Sequence, residues 1–182
     1  MNPIKIQDVL AITEINLTDK YKIQYSTDTI QQDALYLVIE NANLPFGISK
    51  YTNTDSDIDY YSVKINLNDE EYLAIKLIDE QIQNITKLPD EYTYKTLLIT
   101  SDYEDKKYYS VNAKFVIHNA KAFNTKRVGL DVDDFRKKYP KRIRGDLLLS
   151  FGYSKNEIDK TIGYRLYVNQ LKARRDNTEC MF

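Results

Sequence analysis

The chain has 182 residues, with 26 Lys and Arg against 27 Asp and Glu, a net charge of −1, one His, one Cys and no Trp. That length accommodates one domain with a sizeable core and is short for two. Cys180 has no partner for an internal disulfide, no window approaches the roughly 18 consecutive apolar residues of a membrane span, and the first ten residues lack a basic region followed by an apolar run. The expectation is a protein that is not secreted, crosses no membrane and works in a reducing, cytoplasmic or nuclear setting.

Apolar residues at Ile4, Ile6, Leu10, Ile12, Ile15 and Leu17 predict a first strand over 4–17, with a bulge or turn near Glu14. Tyr21, Ile23 and Tyr25 alternate with Lys22 and Gln24, so 21–25 is a second strand, joined to the first through Thr18-Asp19-Lys20 as an opening hairpin. Residues 34–40 are apolar and β-rich. Pro45 and Gly47 end that strand, because proline donates nothing to a ladder and glycine adopts backbone conformations other residues avoid. After a polar loop at 52–57, residues 58–67 alternate with period two. Tyr61, Val63, Ile65 and Leu67 form one face, and Ile58, Tyr60, Ser62, Lys64 and Asn66 the other.

A helix follows. Asn68 suits its N-cap, Asp69, Glu70 and Glu71 suit the positive end of its dipole, Ile75, Ile78, Ile82 and Ile85 recur at helical spacing, and Pro89 stops it. Asp79 and Glu80 are placed on its outer face, giving the helix a packing role under the sheet. Strands over 93–100 and 107–117 form a hairpin around the acidic turn 101–105. The second sets Tyr109, Val111, Ala113, Phe115 and Ile117 on an apolar face, with Tyr108, Ser110, Asn112, Lys114 and Val116 opposite.

From 118 to 146 the periodicity fails, and 121–145 holds nine basic and three acidic residues with Gly129, Pro140 and Gly145. A long basic loop with a short helix at 131–138 is expected. Its Phe123, Phe135 and Tyr139 argue against plain disorder and for a nucleic-acid-contacting loop. Residues 147–151 then form a short buried strand and 154–160 a turn of helix capped by Ser154. Over 163–173 runs a closing strand, with Tyr164, Leu166 and Val168 on one side and Arg165, Tyr167 and Asn169 on the other.

The fold expected from these elements is mostly β, a five-stranded OB-type barrel elaborated by an N-terminal hairpin and one main helix. It forms a single domain over 1–173, with the basic loop 118–146 inserted and a tail at 174–182. A jelly roll or β-sandwich, as in a virion structural protein or a protein-interaction module, is the alternative. Affinity for single strands belongs to the first and self-assembly to the second.

The charges are segregated. Residues 1–90 hold 7 basic and 15 acidic side chains, residues 91–182 hold 19 and 12, and all seven Arg lie in the second half. Guanidinium is always charged, pairs with phosphate and stacks on bases, so this asymmetry suggests one anion-facing surface. Three strands place an aromatic with a cation on one face: Tyr60 with Lys64, Tyr108 with Lys114, and Tyr167 with Arg165. Together they suit a base-stacking platform in a positive groove. Solvated tyrosine on a half-buried sheet is the plainer explanation of each pair taken alone.

Catalytic groups are not arranged for chemistry. His118 stands at a strand end with no nucleophile or carboxylate spaced around it, and no CxxC, HExxH, GxxxxGK or GxGxxG occurs. Asp55, Asp57 and Asp59, like Asp131, Asp133 and Asp134, lack the Gly and bidentate Glu of a calcium loop. Neither an enzyme activity nor a metal or cofactor is expected.

Leu44-Pro45-Phe46-Gly47-Ile48, after a hydrophobic strand and before a Tyr/Lys-bearing strand and a helix, resembles the single-stranded DNA-binding proteins of large nucleocytoplasmic DNA viruses. These are similar in turn to phage-type OB-fold replication proteins. The stretch Gly163-Tyr164-Arg165-Leu166-Tyr167-Val168-Asn169-Gln170-Leu171 is similar to that family's closing strand. The resemblance implies sequence-independent single-stranded DNA binding in viral replication, recombination or repair, at a replication site in the cytoplasm or nucleus of an infected cell. Carried onto this sequence, it implies Tyr60, Lys64, Tyr108, Lys114, Arg165 and Tyr167 as the platform, with Lys126, Arg127, Arg136, Lys137, Lys138, Lys141, Arg142 and Arg144 on phosphates. By the same resemblance the terminal Phe182 recruits replication enzymes, though this tail carries two acids in place of a run, after Arg174-Arg175. Self-association and a preference for DNA over RNA are left open by the sequence.

Overall fold

The computed structural model describes residues 3–53, 58–115 and 121–174. Val116, Ile117, His118, Asp55, Asp57 and the tail at 175–182, with Cys180 and Phe182, lie outside the described residues.

The first expected strand is split into β1 (Ile4–Lys5), a 3₁₀ turn (Ile6–Ala11) and β2 (Ile12–Leu17). Gln7 and Asp8 interrupt the alternation, only Val9 of the turn is buried, and Leu10 stays 79% exposed. β3 (Ile23–Thr27) pairs antiparallel with β2 as the expected hairpin, and β4 (Gln31–Gln32) completes a three-stranded sheet. β5 (Tyr36–Leu44) then leads into a tight turn in which the Gly47 N–H donates to the Leu44 carbonyl at 3.2 Å, Gly47 taking φ +65°. That turn returns the chain as β6 (Ile48–Asn53), a strand the loop-like composition at 52–57 conceals, hydrogen-bonded to β7 (Ile58–Leu67).

α1 (Asp69–Ile85) begins at a reciprocal capping box. Asn68 accepts from the Glu71 N–H at 2.8 Å, and the Glu71 carboxylate accepts from the Asn68 N–H at 2.9 Å. Ala74, Ile75, Ile78 and Ile82 are buried, and Tyr72 stacks on Tyr109 at 3.8 Å. Asp79 is not on the outer face as expected. It is 5% exposed and accepts from the Tyr94 hydroxyl at 2.7 Å, the Thr96 hydroxyl and the Leu97 N–H at 3.1 Å, so a carboxylate at an inward helical position is stabilised by three donors.

After β8 (Thr93–Lys95) come β9 (Leu98–Tyr103) and β10 (Lys106–Phe115), joined at Glu104 and Asp105, both with positive φ, as a two-residue hairpin turn requires. The segment expected as a basic loop carries β11 (Lys121–Phe123), β12 (Gly129–Leu130) and the expected short helix, α2 (Val132–Lys138), capped by Asp131. Phe135 and Tyr139 are its buried anchors, at 0% and 1% exposure. β13 (Ile143–Asn156) is far longer than the short strand expected, and β14 (Thr161–Ala173) follows it directly. No helical turn begins at Ser154, because residues 154–156 stay in register with 161–163 across a tight hairpin.

Five of these strands close on themselves. Going round, β5 pairs β7, β7 pairs β10, β10 pairs β14, β14 pairs β13, and β13 pairs β5, all antiparallel except β10 with β14. In chain order the sequence of neighbours is 1-2-3-5-4-1, the five-stranded OB barrel. A sandwich or jelly roll is ruled out by that closure. Leu37, Ile39, Val63, Ile65, Val111, Ala113, Leu147, Leu149, Leu166 and Val168 fill the interior, each at most 1% exposed. No helix among the described residues is long and apolar enough to cross a membrane.

Candidate nucleic-acid interface

The same alternation that buries Val63, Ile65, Val111, Ala113 and Phe115 turns Lys64, Asn112 and Lys114 outward, while Ser110 on that side is itself buried. Register fixes the rows. Lys64 lies opposite Asn112, and Lys114 lies between Ser62 and Tyr167. Tyr167 in turn lies opposite Ser150 on β13, and Arg165 opposite Gly152. Lys64, Lys114, Arg165 and Tyr167 therefore share the centre of one exterior face. Tyr60 and Tyr108 mark its two ends, eight residues apart by register, roughly 26 Å. Tyr60 lies opposite Tyr51, which is 67% exposed, and Tyr108 opposite Ser101. The three aromatic–cation pairs expected from the sequence are thus one central cluster with an outlying tyrosine at each end.

Among the described residues, Lys64, Lys114 and Arg165 form no ion pair. Neither Asp nor Glu occurs in 60–66, 108–114, 150–154 or 165–169. Partial burial, then the neighbouring Arg165 charge, hold the Lys114 ammonium below its usual pKa. A lysine depressed in that way marks a positive site without a compensating anion.

Two glycines shape the surface. Gly163 has no Cβ because one would collide with the Lys95 carbonyl, so β8 runs close along the edge of β14. That approach adds Lys95 to a cleft of about 220 Å³ shared with Asn112, Lys114 and Arg165. Gly152 leaves the space into which the Tyr167 ring folds. Sequence reading missed Lys95, since β8 follows no alternation, and missed Tyr51, since β6 looked like loop.

The basic segment docks next to this face. β11 continues along the edge of β14 where β10 leaves it, Lys121 pairing with Gln170 after Phe115 with Val168. Its anchor is the Pro45-Phe46-Gly47 turn. A Cβ on Gly47 would stand 2.5 Å from the Pro140 carbonyl oxygen, and the Arg142 N–H donates to the Pro45 carbonyl at 3.1 Å. The motif that carried the viral resemblance therefore serves here as the seat of the basic segment.

The eight cations of that segment are not equivalent. Arg136 donates through Nε and Nη2 to Asp133 at 3.1 and 3.0 Å, and Lys137 pairs with the other oxygen of Asp133 at 2.7 Å. Lys137 and then Arg136 hold the Asp133 carboxyl below the usual range. Lys138 lies over the Tyr139 ring at 5.6 Å, and Arg144 Nη1 donates to the Asn41 carbonyl at 3.3 Å. Lys126, Arg127, Lys141 and Arg142 are exposed, the two arginines with left-handed backbones. Of the candidate acid clusters, Asp59 pairs with Lys50 at 2.7 Å, and among the described residues no three His, Cys, Asp or Glu are placed to hold a metal.

Compared with solved structures, the chain is similar to the single-stranded DNA-binding protein from bacteriophage Enc34 in a C-terminally truncated form, at TM-score 0.56 and 15% identity, covering 90% of this chain and 95% of that one. It shares that phage protein's fold. A structure of the Enc34 protein in complex with single-stranded DNA gives TM-score 0.55 and 16% identity, over 90% and 96% of the two chains. No family model matches the sequence, and a search of curated proteins finds no similar one.

Proposed function

We propose that this chain binds single-stranded DNA without sequence preference and performs no catalysis. The observation that carries the reading is the central cluster, where Lys64, Lys114 and Arg165, with no ion-pair partner among the described residues, stand beside the half-buried Tyr167 on strands 2, 3 and 5 of an OB barrel. Strands 2 and 3 form the face with which OB folds take up oligonucleotides. Tyr167 stacks a base, Tyr60 and Tyr108 extend the platform to either side, and the three cations hold the phosphates between them. Lys126, Arg127, Lys138, Lys141, Arg142 and Arg144 continue the phosphate track, with Arg136 and Lys137 joining it only by sharing or leaving Asp133. The Enc34 structure with single-stranded DNA supports this reading by fold.

The finer reading follows from the resemblance of the Pro45-Phe46-Gly47 stretch and the closing strand. The protein serves viral replication, recombination or repair, and Phe182 recruits a replication enzyme. A fluorescence titration with oligo-dT and with duplex of equal length, at two salt concentrations, tests the core claim. Binding to the single strand well above duplex, with a negative slope of log K on log salt, is expected, because a duplex hides the base faces. Equal or stronger duplex binding overturns it.

A further inference from the structure

The β2–β3 turn is built more firmly than a connection between two short strands requires. Tyr21 stands in the left-handed region, φ +55°, where glycine or asparagine is the cheaper residue. Four hydrogen bonds, two between backbone groups and two to the Thr18 side chain, fix it there. Its N–H donates to the Thr18 carbonyl at 2.8 Å, the Thr18 N–H to the Lys22 carbonyl at 3.0 Å, and the Lys20 and Lys22 N–H groups to the Thr18 hydroxyl oxygen at 3.3 and 3.0 Å. The ring then stacks on Tyr153, centroids 4.1 Å apart and planes 16° apart, while Tyr21 as a whole stays 48% exposed. A large aromatic is thereby presented, preorganised, with one face covered by protein. On either side of it, Lys20 and Lys22 are exposed and form no ion pair among the described residues.

The groove under this turn adjoins the candidate interface. It holds about 320 Å³ and is lined by Lys20, Tyr21, Lys22, Tyr36, Ser150 and Gly152 among others. Ser150 and Gly152 are the β13 residues opposite Tyr167 and Arg165, and Tyr36 is the β5 residue opposite Ser150. The β5–β13 ladder ends at that pair, so the groove opens where one edge of β13 becomes free. From the central face a strand crossing Tyr167 runs over Ser150 and Tyr36 to Tyr21.

We infer that Tyr21, Lys20, Lys22 and Tyr36 form a second subsite for the same single strand, taking the nucleotide that leaves the barrel face past Tyr167 and Gly152. This rests on the proposed function. Tyr21 stacks the base on its uncovered face, and the two lysines meet the flanking phosphates. The subsite extends the footprint and leaves the central face unchanged.

Oligonucleotide length separates the two claims. Wild type, Tyr21→Gly and the double variant Lys20→Gln/Lys22→Gln are titrated with a dT oligomer of about 5 nucleotides, near the smallest OB footprint, and one of about 20. Glycine suits the positive φ at position 21, and both lysines are exposed, so both variants keep the fold. The expected result is an affinity loss of about tenfold for Tyr21→Gly on the long oligomer, within the range for one stacked base, and none on the short one. For the double variant the salt slope on the long oligomer falls by about 1.4, two phosphate contacts at about 0.7 each. Equal affinities of wild type and both variants on the long oligomer overturn the subsite alone. A wild type that binds neither oligomer overturns the proposed function and the subsite with it.

Discussion

The ring of Tyr167 rests over Gly152 on the adjacent strand, in the space where a side chain at position 152 would stand. Among the central residues of the interface, this tyrosine has its ring position set by a missing atom. Gly152→Ala should therefore push the ring outward and leave the strands paired, since what gives way is the far end of a side chain. Affinity for oligo-dT is expected to fall several-fold with Tm nearly unchanged. Tyr167→Ala should lower affinity by about 1–3 kcal/mol. Val168→Ala, one residue on but fully buried, should destabilise the fold by about 2 kcal/mol and leave relative affinities for different sequences alone. Denaturant unfolding and fluorescence titration on the three variants separate these effects, and the reverse pattern would place the interface on the wrong face.

Cations divide by their neighbours. Replacing Lys64, Lys114 and Arg165 by Gln removes three charges that no described carboxylate neutralises, and should flatten log K against log salt by about 2, at about 0.7 per phosphate contact on a single strand. Replacing Lys137, Lys138, Lys141 and Arg142 by Ala should also weaken binding uniformly across sequences. Its slope change should fall short of four contacts, because Lys137 already sits 2.7 Å from Asp133. An unchanged slope in the triple variant removes the central face from the phosphate path.

Where neighbours in sequence decide a residue's environment, the chain could be read. The period-two run gave β7 its bounds and faces, and Asn68 with Glu71 gave α1 its capped start. Phe123, Phe135 and Tyr139 marked the basic segment as more than a solvated loop, and Phe135 and Tyr139 are buried. What stayed hidden depends on distant partners. β6 exists because Gly47 turns tightly enough to lay it on β7, and β8 because Gly163 admits it beside β14. Parallel pairing of β10 with β14, which brings Lys114 beside Tyr167, joins residues about 50 positions apart with no local signal to announce it.

Asp79 shows the same limit on a single residue: its charge led to the outer-face expectation, although it stands four residues after Ile75 and three before Ile82 on the buried face. With Tyr94, Thr96 and the Leu97 N–H as its donors, it ties α1 to the start of the β8–β9 segment. Asp79→Ala leaves those groups without their acceptor in a buried site and should destabilise the protein by about 2–4 kcal/mol. Denaturant unfolding measures that loss. At temperatures where the variant is folded, oligo-dT affinity should match wild type, since neither α1 nor Tyr94 lies on the face of Lys64 and Tyr167.

Lys114 offers a titration that reports on the interface directly. Burial first, and Arg165 second, set its folded pKa below the ordinary 10.5, so carrying the charge costs the folded protein stability relative to the unfolded chain. As pH rises through the depressed value toward 10.5, the folded protein loses that proton before the unfolded chain does, and this contribution to instability is relieved. A phosphate placed against the ammonium acts the other way, favouring the charged form and raising its pKa. Binding should then take up a proton, and affinity for oligo-dT should decline as pH climbs through the window just below 10.5. Lys114→Arg keeps its charge throughout and should bind with a flatter pH profile, while ionisation of tyrosines contributes equally to both proteins. Parallel fluorescence titrations between about pH 7 and 10 make the comparison, and identical profiles would show that no phosphate approaches Lys114.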